Sequence, residues 1–145
     1  MTYALDTNTI IHYFKKEPNV CGKFHEVITK GDNLIIPKIV NYELRRGFKT
    51  FHSPNKEKAY DILISPDGFC SVEDMDSMSW EKAEEVYSDL YLKRLTVGEL
   101  DILIASFCLA NDYTLVTNNT KHFSNISNLK IEDWVTPAGV PQDNK

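Results

Sequence analysis

The feature that most constrains this chain is its alternation of very short apolar runs with segments of helical period. The runs are Tyr3-Ala4-Leu5, Leu34-Ile35-Ile36-Pro37, Phe69-Cys70-Ser71-Val72, Thr114-Leu115-Val116-Thr117 and Leu129-Lys130-Ile131. Each reads as a short strand bounded by turn or capping residues. Short strands alternating with helices specify an α/β three-layer sandwich, with a mainly parallel central sheet flanked by helices.

The helices announce themselves by spacing and by their ends. Thr7 is placed to cap a helix carrying Ile10, Ile11, Tyr13 and Phe14. Pro18 opens a second helix through Phe24, Val27 and Ile28, closed by Gly31. A third runs from Lys38 to about Phe51 with Pro37 at its entry, and Ser53-Pro54-Asn55 starts a fourth that stops at Pro66-Asp67-Gly68. Ser79 or a near neighbour caps a helix carrying Trp80, Ala83, Val86, Tyr87 and Leu90. The last is an apolar helix from Glu99 to Ala110, ended by the Asn111-Asp112 turn. Residues 1–136 are read as one domain, and 137–145, polar with two prolines and a glycine, as a flexible C-terminal tail.

Composition narrows the class without naming a chemistry. The chain has 145 residues, 42% hydrophobic and 26% charged, ordinary values for one globular domain. No apolar run reaches the roughly 18 residues of a membrane span, and the N-terminus shows no basic-then-apolar signal region. Cys21, Cys70 and Cys108 are odd in number and form no C-x-x-C pair, which favours a cytoplasmic protein without disulfides or a cysteine zinc site. A formal charge of −5 excludes a broadly basic nucleic-acid coat.

Three carboxylates occupy unusual positions. Asp6 ends the first apolar strand, where parallel sheets gather ligand sites, although it could equally be a helix cap. Glu43 falls within the apolar stripe of helix 38–51, formed by Ile39, Val40, Leu44, Gly47, Phe48 and Phe51. Its alternative is a stripe-edge glutamate paired with Arg46. Asp101 is the only charged residue from Leu100 to Ala110, either an ordinary acid at a helix N-terminus or a site acid, with Glu99 near it as a competitor for the first role. Were the three to converge, each pair would repel by about 3 kcal/mol at ~5 Å and an effective dielectric near 20. A fold tolerates that by protonating one acid or by holding a cation among them, and carboxylates with waters suit Mg²⁺ or Mn²⁺.

Taken in order, Leu5-Asp6-Thr7-Asn8, Asn41-Tyr42-Glu43-Leu44-Arg45-Arg46-Gly47, Asp101-Ile102-Leu103-Ile104-Ala105, Leu115 to Phe123 and Ile131-Glu132-Asp133-Trp134 resemble a PIN-domain ribonuclease. More narrowly they resemble the VapC-type toxins of bacterial type II toxin–antitoxin systems, over about residues 3–134. The resemblance implies a PIN-like sandwich and a catalytic, metal-binding set of Asp6, Glu43 and Asp101 holding Mg²⁺ or Mn²⁺. It makes Asn8 a group that orients Asp6. Many family members carry a further acid where Asn119 or His122 stands, and this chain has neither acid. Asn118 and Asn119 are candidates for hydrogen bonds at the site or for turn formation, and His122 for a phosphate contact.

The activity so implied is metal-activated hydrolysis of RNA, possible substrates including tRNA, leaving 5′-phosphate and 3′-hydroxyl ends. No Ser-His-Asp or Cys-His set offers a covalent route. Arg45 and Arg46, which flank Glu43, are the favoured basic contacts for the RNA backbone. The implied partners are a cognate antitoxin, meeting apolar residues such as Ile11, Phe14 and Phe48, and a second copy in a homodimer within a toxin–antitoxin hetero-oligomer. Two other readings use the same residues. A haloacid-dehalogenase-like phosphatase would use Asp6 but wants an acid where Asn8 stands, and a degraded PIN scaffold would only bind partners.

Overall fold

Residues 1–136 are described by a computed structural model. The expected tail, 137–145, lies outside the described residues. In chain order the elements are β1 (Thr2–Leu5), α1 (Thr7–Phe14), α2 (Pro18–Thr29), β2 (Asn33–Pro37), α3 (Lys38–Thr50), α4 (Pro54–Leu63), β3 (Cys70–Glu73), α5 (Ser77–Leu92), α6 (Glu99–Asn111), β4 (Thr114–Val116), α7 (Thr120–Phe123) and β5 (Ile131–Glu132). The strands form one sheet in the order β3-β2-β1-β4-β5, and every pairing is parallel. Helices flank it, as the alternation of elements requires.

Strand β1 is central and buried from Tyr3 to Leu5, pairing Ala4 with Ile35 on one side and Leu5 with Val116 on the other. A strand covered on both faces has no polar side to alternate with, which is why Ala4-Leu5, Leu34-Ile35-Ile36 and Leu115-Val116 read as continuous apolar runs. The chain leaves β1 toward β2 and β3, then returns to lay β4 on the opposite side. The order therefore reverses between β1 and β4, and a crevice opens beyond their carboxyl ends.

The helices bring their first turns to that same edge. Helix α3 starts directly after β2, so Glu43 lies in its second turn. Helix α6 is followed at once by β4, through Asp112 at a left-handed φ of 56°, so it runs back along the sheet and its first turn, with Asp101, overhangs the carboxyl edge. Its apolar sequence is explained by burial of Ile102 and of every residue from Ile104 to Cys108.

Several local expectations need correction. The cap of α1 is Asp6 rather than Thr7, its own carboxylate accepting from Thr7 N at 2.8 Å. Helix α5 is capped by Asp76 rather than Ser79: Asp76 Oδ1 accepts from both the backbone N and the hydroxyl of Ser79. On that helix Ala83, Val86 and Leu90 are buried, whereas Trp80 and Tyr87 face solvent. Phe51, expected in the α3 stripe, is the exposed C-terminal cap of the helix, because the apolar face ends at Phe48. The last strand pairs through Ile131 and Glu132, and not from Leu129. The short helix α7 was not legible at all, being only one turn long.

Two aromatic anchors hold the ends of the site region. Trp134 is buried with its ring 5.3 Å from Tyr3 and 5.8 Å from Phe24, centroid to centroid, tying the end of the described chain to β1 and α2. Phe123 is fully buried and pins α7. Truncation of Phe123 to Ala is expected to cost about 3–5 kcal/mol through the cavity it leaves. Urea unfolding of Phe123→Ala against the wild type measures this, and a loss below about 1 kcal/mol would show that α7 is not anchored there.

Candidate active site

Asp6 sits at the junction where the strand order reverses, and it is 4% exposed. A carboxylate so buried needs donors, and each neighbouring segment supplies one. Thr7 N donates to Oδ1 at 2.8 Å, while Thr117 Oγ1 and Asn8 Nδ2 donate to Oδ2 at 2.8 and 3.1 Å. Thr117 is the residue after β4, so its hydroxyl reaches Asp6 because Leu5 and Val116 are paired one position earlier. The Asp6 backbone joins the same ladder, its N donating to Val116 O at 2.9 Å.

Asn8 holds Asp6, as the resemblance implies, and does more. Its Oδ1 accepts from Asn118 N at 2.8 Å, fixing the turn after β4. The Asn118 side chain donates to Asp133 at 3.1 Å, joining that turn to the segment after β5. Asn119 N donates to Thr117 Oγ1 at 3.0 Å, and Asn119 then caps α7 with an exposed side chain. Asn118 is therefore a brace of the loop, and Asn119 is the one of the pair that faces solvent.

The other two acids are electrostatically coupled to Asp6. Glu43 is half-buried at the edge of the α3 stripe, where its Oε1 accepts from Thr7 Oγ1 at 3.3 Å. Burial pushes the Glu43 carboxyl above its ordinary value; the Asp6 charge adds to this, the Thr7 hydroxyl and Arg46 oppose it, and Asp101 contributes a smaller upward push. Burial likewise raises Asp6, against the hydrogen bonds from Thr117, Thr7 and Asn8, and the Asp101 charge raises it further. Asp101 is partly exposed, and its Oδ2 lies 3.3 Å from His122 Nδ1. Glu99 stays at the exposed helix start. The sequence thus brings Asp6, Asn8, Glu43, Asp101, Asn118 and His122 to one crevice.

The arginine doublet divides. Arg45 is committed to α4, pairing with Glu57 at 3.2 Å and Asp61 at 2.7 Å beneath the Tyr60 ring. Arg46 is exposed, stacks over Tyr42 at 5.0 Å and remains close enough to Glu43 to favour its charged form. Thr117 and Thr7 are the residues that sequence reasoning missed. Their signal was a hydroxyl directly after an apolar strand, next to a strand ending in an acid.

Among the described residues no three His, Cys, Asp or Glu side chains are already drawn together tightly enough to cage a metal ion. The donor set still suits a hard divalent cation, which keeps several waters and needs only one or two protein carboxylates. Buried Asp6, with its like-charged neighbours Glu43 and Asp101, is the arrangement that such a cation relieves. Cys70 and Cys108 offer no rival nucleophile: burial pushes the Cys70 thiol up to about 12 and raises that of Cys108 as well.

Comparison with known proteins agrees with this architecture. Residues 3–129 match the PIN domain family. Ribonuclease VapC2 of Rickettsia felis is 33% identical over 135 residues, covering 92% of this chain and 98% of the relative. The tRNA(fMet)-specific endonuclease VapC of Salmonella typhimurium is 28% identical, with 92% and 98% covered. Among solved structures, VapBC2 from Rickettsia felis bound to a DNA fragment from its promoter superposes with a TM-score of 0.82 at 31% identity, covering 92% of this chain and 99% of the other. DNA-bound VapBC from Salmonella typhimurium gives a TM-score of 0.81 at 26% identity, covering 92% and 98%. The chain belongs to the PIN-domain family, in its VapC-type branch.

The coupled acids give a pH signature in the protein alone. Glu43 is raised in the folded state, so its contribution to stability is present below its unfolded pKa of about 4.3 and is lost as pH rises through the folded value. Without added metal, Glu43→Gln is expected to melt higher than wild type at pH 7–8, by about 3 °C for each kcal/mol of relieved repulsion. The difference should vanish below about pH 4. Melting curves across pH measure it, and equal melting temperatures at pH 8 would remove the coupling.

Proposed function

We propose that this protein is a metal-dependent endoribonuclease acting as the toxin of a toxin–antitoxin pair. The single observation that carries the reading is Asp6, a carboxylate held by Thr7 N, Asn8 and Thr117 at the carboxyl edge of a parallel sheet and raised above its ordinary value by burial and, less strongly, by the charge of Asp101. Family membership supports it, because full-length relatives bear the names ribonuclease and tRNA-specific endonuclease. Structured RNA, tRNA included, is accordingly the substrate class we assign.

Asp6, Asp101 and Glu43 would hold Mg²⁺ or Mn²⁺. When bound, the ion activates a water and offsets the charge that develops on the phosphodiester. The chain's own part is to fix the carboxylates. Asp6 is locked by three donors, Asn8 and Thr117 lock the adjoining turn, and Thr7 orients Glu43. Arg46 acts electrostatically on Glu43 and suits an RNA phosphate, whereas Arg45 is already paired within the fold.

The activity test uses purified protein and transfer RNA, with Mg²⁺ or Mn²⁺ and with EDTA. Cleavage should require the metal, and Asp101→Asn should lower it about 100-fold or more, the scale of losing a group that stabilises transition-state charge. Asp101→Asn should stay folded, since the side chain is partly exposed. Wild-type protein that cuts no RNA in Mn²⁺ would overturn the nuclease reading and favour a scaffold that only binds partners.

Control by an antitoxin is supported by the VapBC complexes and by a groove of about 510 Å³ between α1, α3 and α4. Ile11, Phe14, Leu44, Phe48 and Phe51 line it, and Thr7 and Glu43 stand at its wall. An apolar segment of the antitoxin seated there would lie directly against the acids. Ile11 and Phe51 are exposed, so Ile11→Lys and Phe51→Ser should keep RNA cleavage while weakening antitoxin binding about tenfold or more. Affinity by calorimetry, with cleavage assayed in parallel, checks this; unchanged affinity would place the antitoxin elsewhere.

A further inference from the structure

One side chain of different chemistry meets the acids. His122, on α7, points its Nδ1 to 3.3 Å from Asp101 Oδ2. Its backbone is held, His122 N donating to Asn119 O at 3.0 Å, and the next residue is the buried Phe123. The His122 side chain is 61% exposed and that of Asp101 27%, so both reach solvent from fixed backbones. The 3.3 Å separation is within hydrogen-bonding reach, the ring's tautomer deciding which atom donates. It is close to the spacing of two neighbouring ligands on one ion, since metal–donor bonds of about 2.1 Å set at a right angle leave the donors ~3.0 Å apart and wider angles leave them further.

We propose that His122 Nδ1 and Asp101 Oδ2 are neighbouring ligands of the divalent ion, and that the imidazole makes this site prefer Mn²⁺ and related transition ions to Mg²⁺. The inference rests on the metal-nuclease reading above. Its chemistry is ligand preference. Mg²⁺ takes oxygen donors and surrenders its waters reluctantly, whereas first-row transition ions accept imidazole nitrogen readily. Asp6 and Glu43 supply only oxygens, so the nitrogen at position 122 is what separates the two classes of ion. With Nδ1 as the ligand, the proton of the neutral ring would sit on Nε2.

Mn²⁺ alone is the probe, bound to the full chain and followed by electron paramagnetic resonance. Wild type should show ¹⁴N modulation from a coordinated imidazole, and His122→Ala should lose it. Mn²⁺ affinity should fall about tenfold in His122→Ala while Mg²⁺ affinity, read by competition, changes by less than about twofold. His122→Asp should restore binding and shift the preference toward Mg²⁺. Mn²⁺ bound without ¹⁴N modulation, or modulation persisting in His122→Ala, overturns the ligand assignment and leaves the nuclease reading intact. Equal losses for both ions overturn the selectivity. A wild-type chain that binds neither ion overturns both readings together.

Discussion

The structure depends on how one buried carboxylate is satisfied. Asp6 takes hydrogen bonds from the residue after it, from the side chain of the second residue of α1, and from the hydroxyl that follows β4. Those donors belong to segments more than a hundred positions apart in sequence, so the carboxylate acts as a clasp between the first strand and the fourth. Asn8 extends the clasp by gripping Asn118 N, and Asn118 passes it to Asp133. Removing the Thr117 hydroxyl or the Asn8 amide would take one donor from a buried carboxylate, a cost of about 1–3 kcal/mol.

The same arrangement sets a conflict. Hydrogen bonds favour the charged Asp6, while burial and the neighbouring acids oppose it. Glu43 meets the opposing terms with fewer donors. A fold arranged for stability alone would place an apolar or neutral side chain there. Distribution of the basic residues sharpens the point: Arg45 is paired with Glu57 and Asp61, so it stiffens the α3–α4 pair instead of facing the acids. The formal charge of −5 thus has a local meaning. Some of it is concentrated where an external cation can answer it.

Much of this was legible in the sequence for definite reasons. Apolar runs such as Leu34-Ile35-Ile36 read as doubly buried strands, and Asp101 stood out because nothing else from Leu100 to Ala110 carries charge. Asp6 was read as either a cap or a site acid, and it is both a cap and a buried crevice group, roles that composition cannot separate. What stayed hidden depends on pairings distant in sequence. Thr117 gains its role only because β4 lies beside β1, and Arg45 loses its expected one only because α4 turns back onto α3. The caps Asp6 and Asp76 displaced Thr7 and Ser79 because a carboxylate accepts from the first turn at least as well as a hydroxyl does.

The division between rigid and peripheral parts of the crevice bears on how such a protein can change. Asp6 and its donors are locked into the sheet, where nearly any substitution disturbs folding. His122 rides on a single exposed turn whose stability resides in its neighbour, Phe123. A codon change at 122 can therefore alter the chemistry offered to the crevice at almost no thermodynamic cost. The architecture keeps the part that must stay constant in the core and leaves one adjustable position at the surface, so adaptation to a new ionic environment need not pass through an unfolded ancestor.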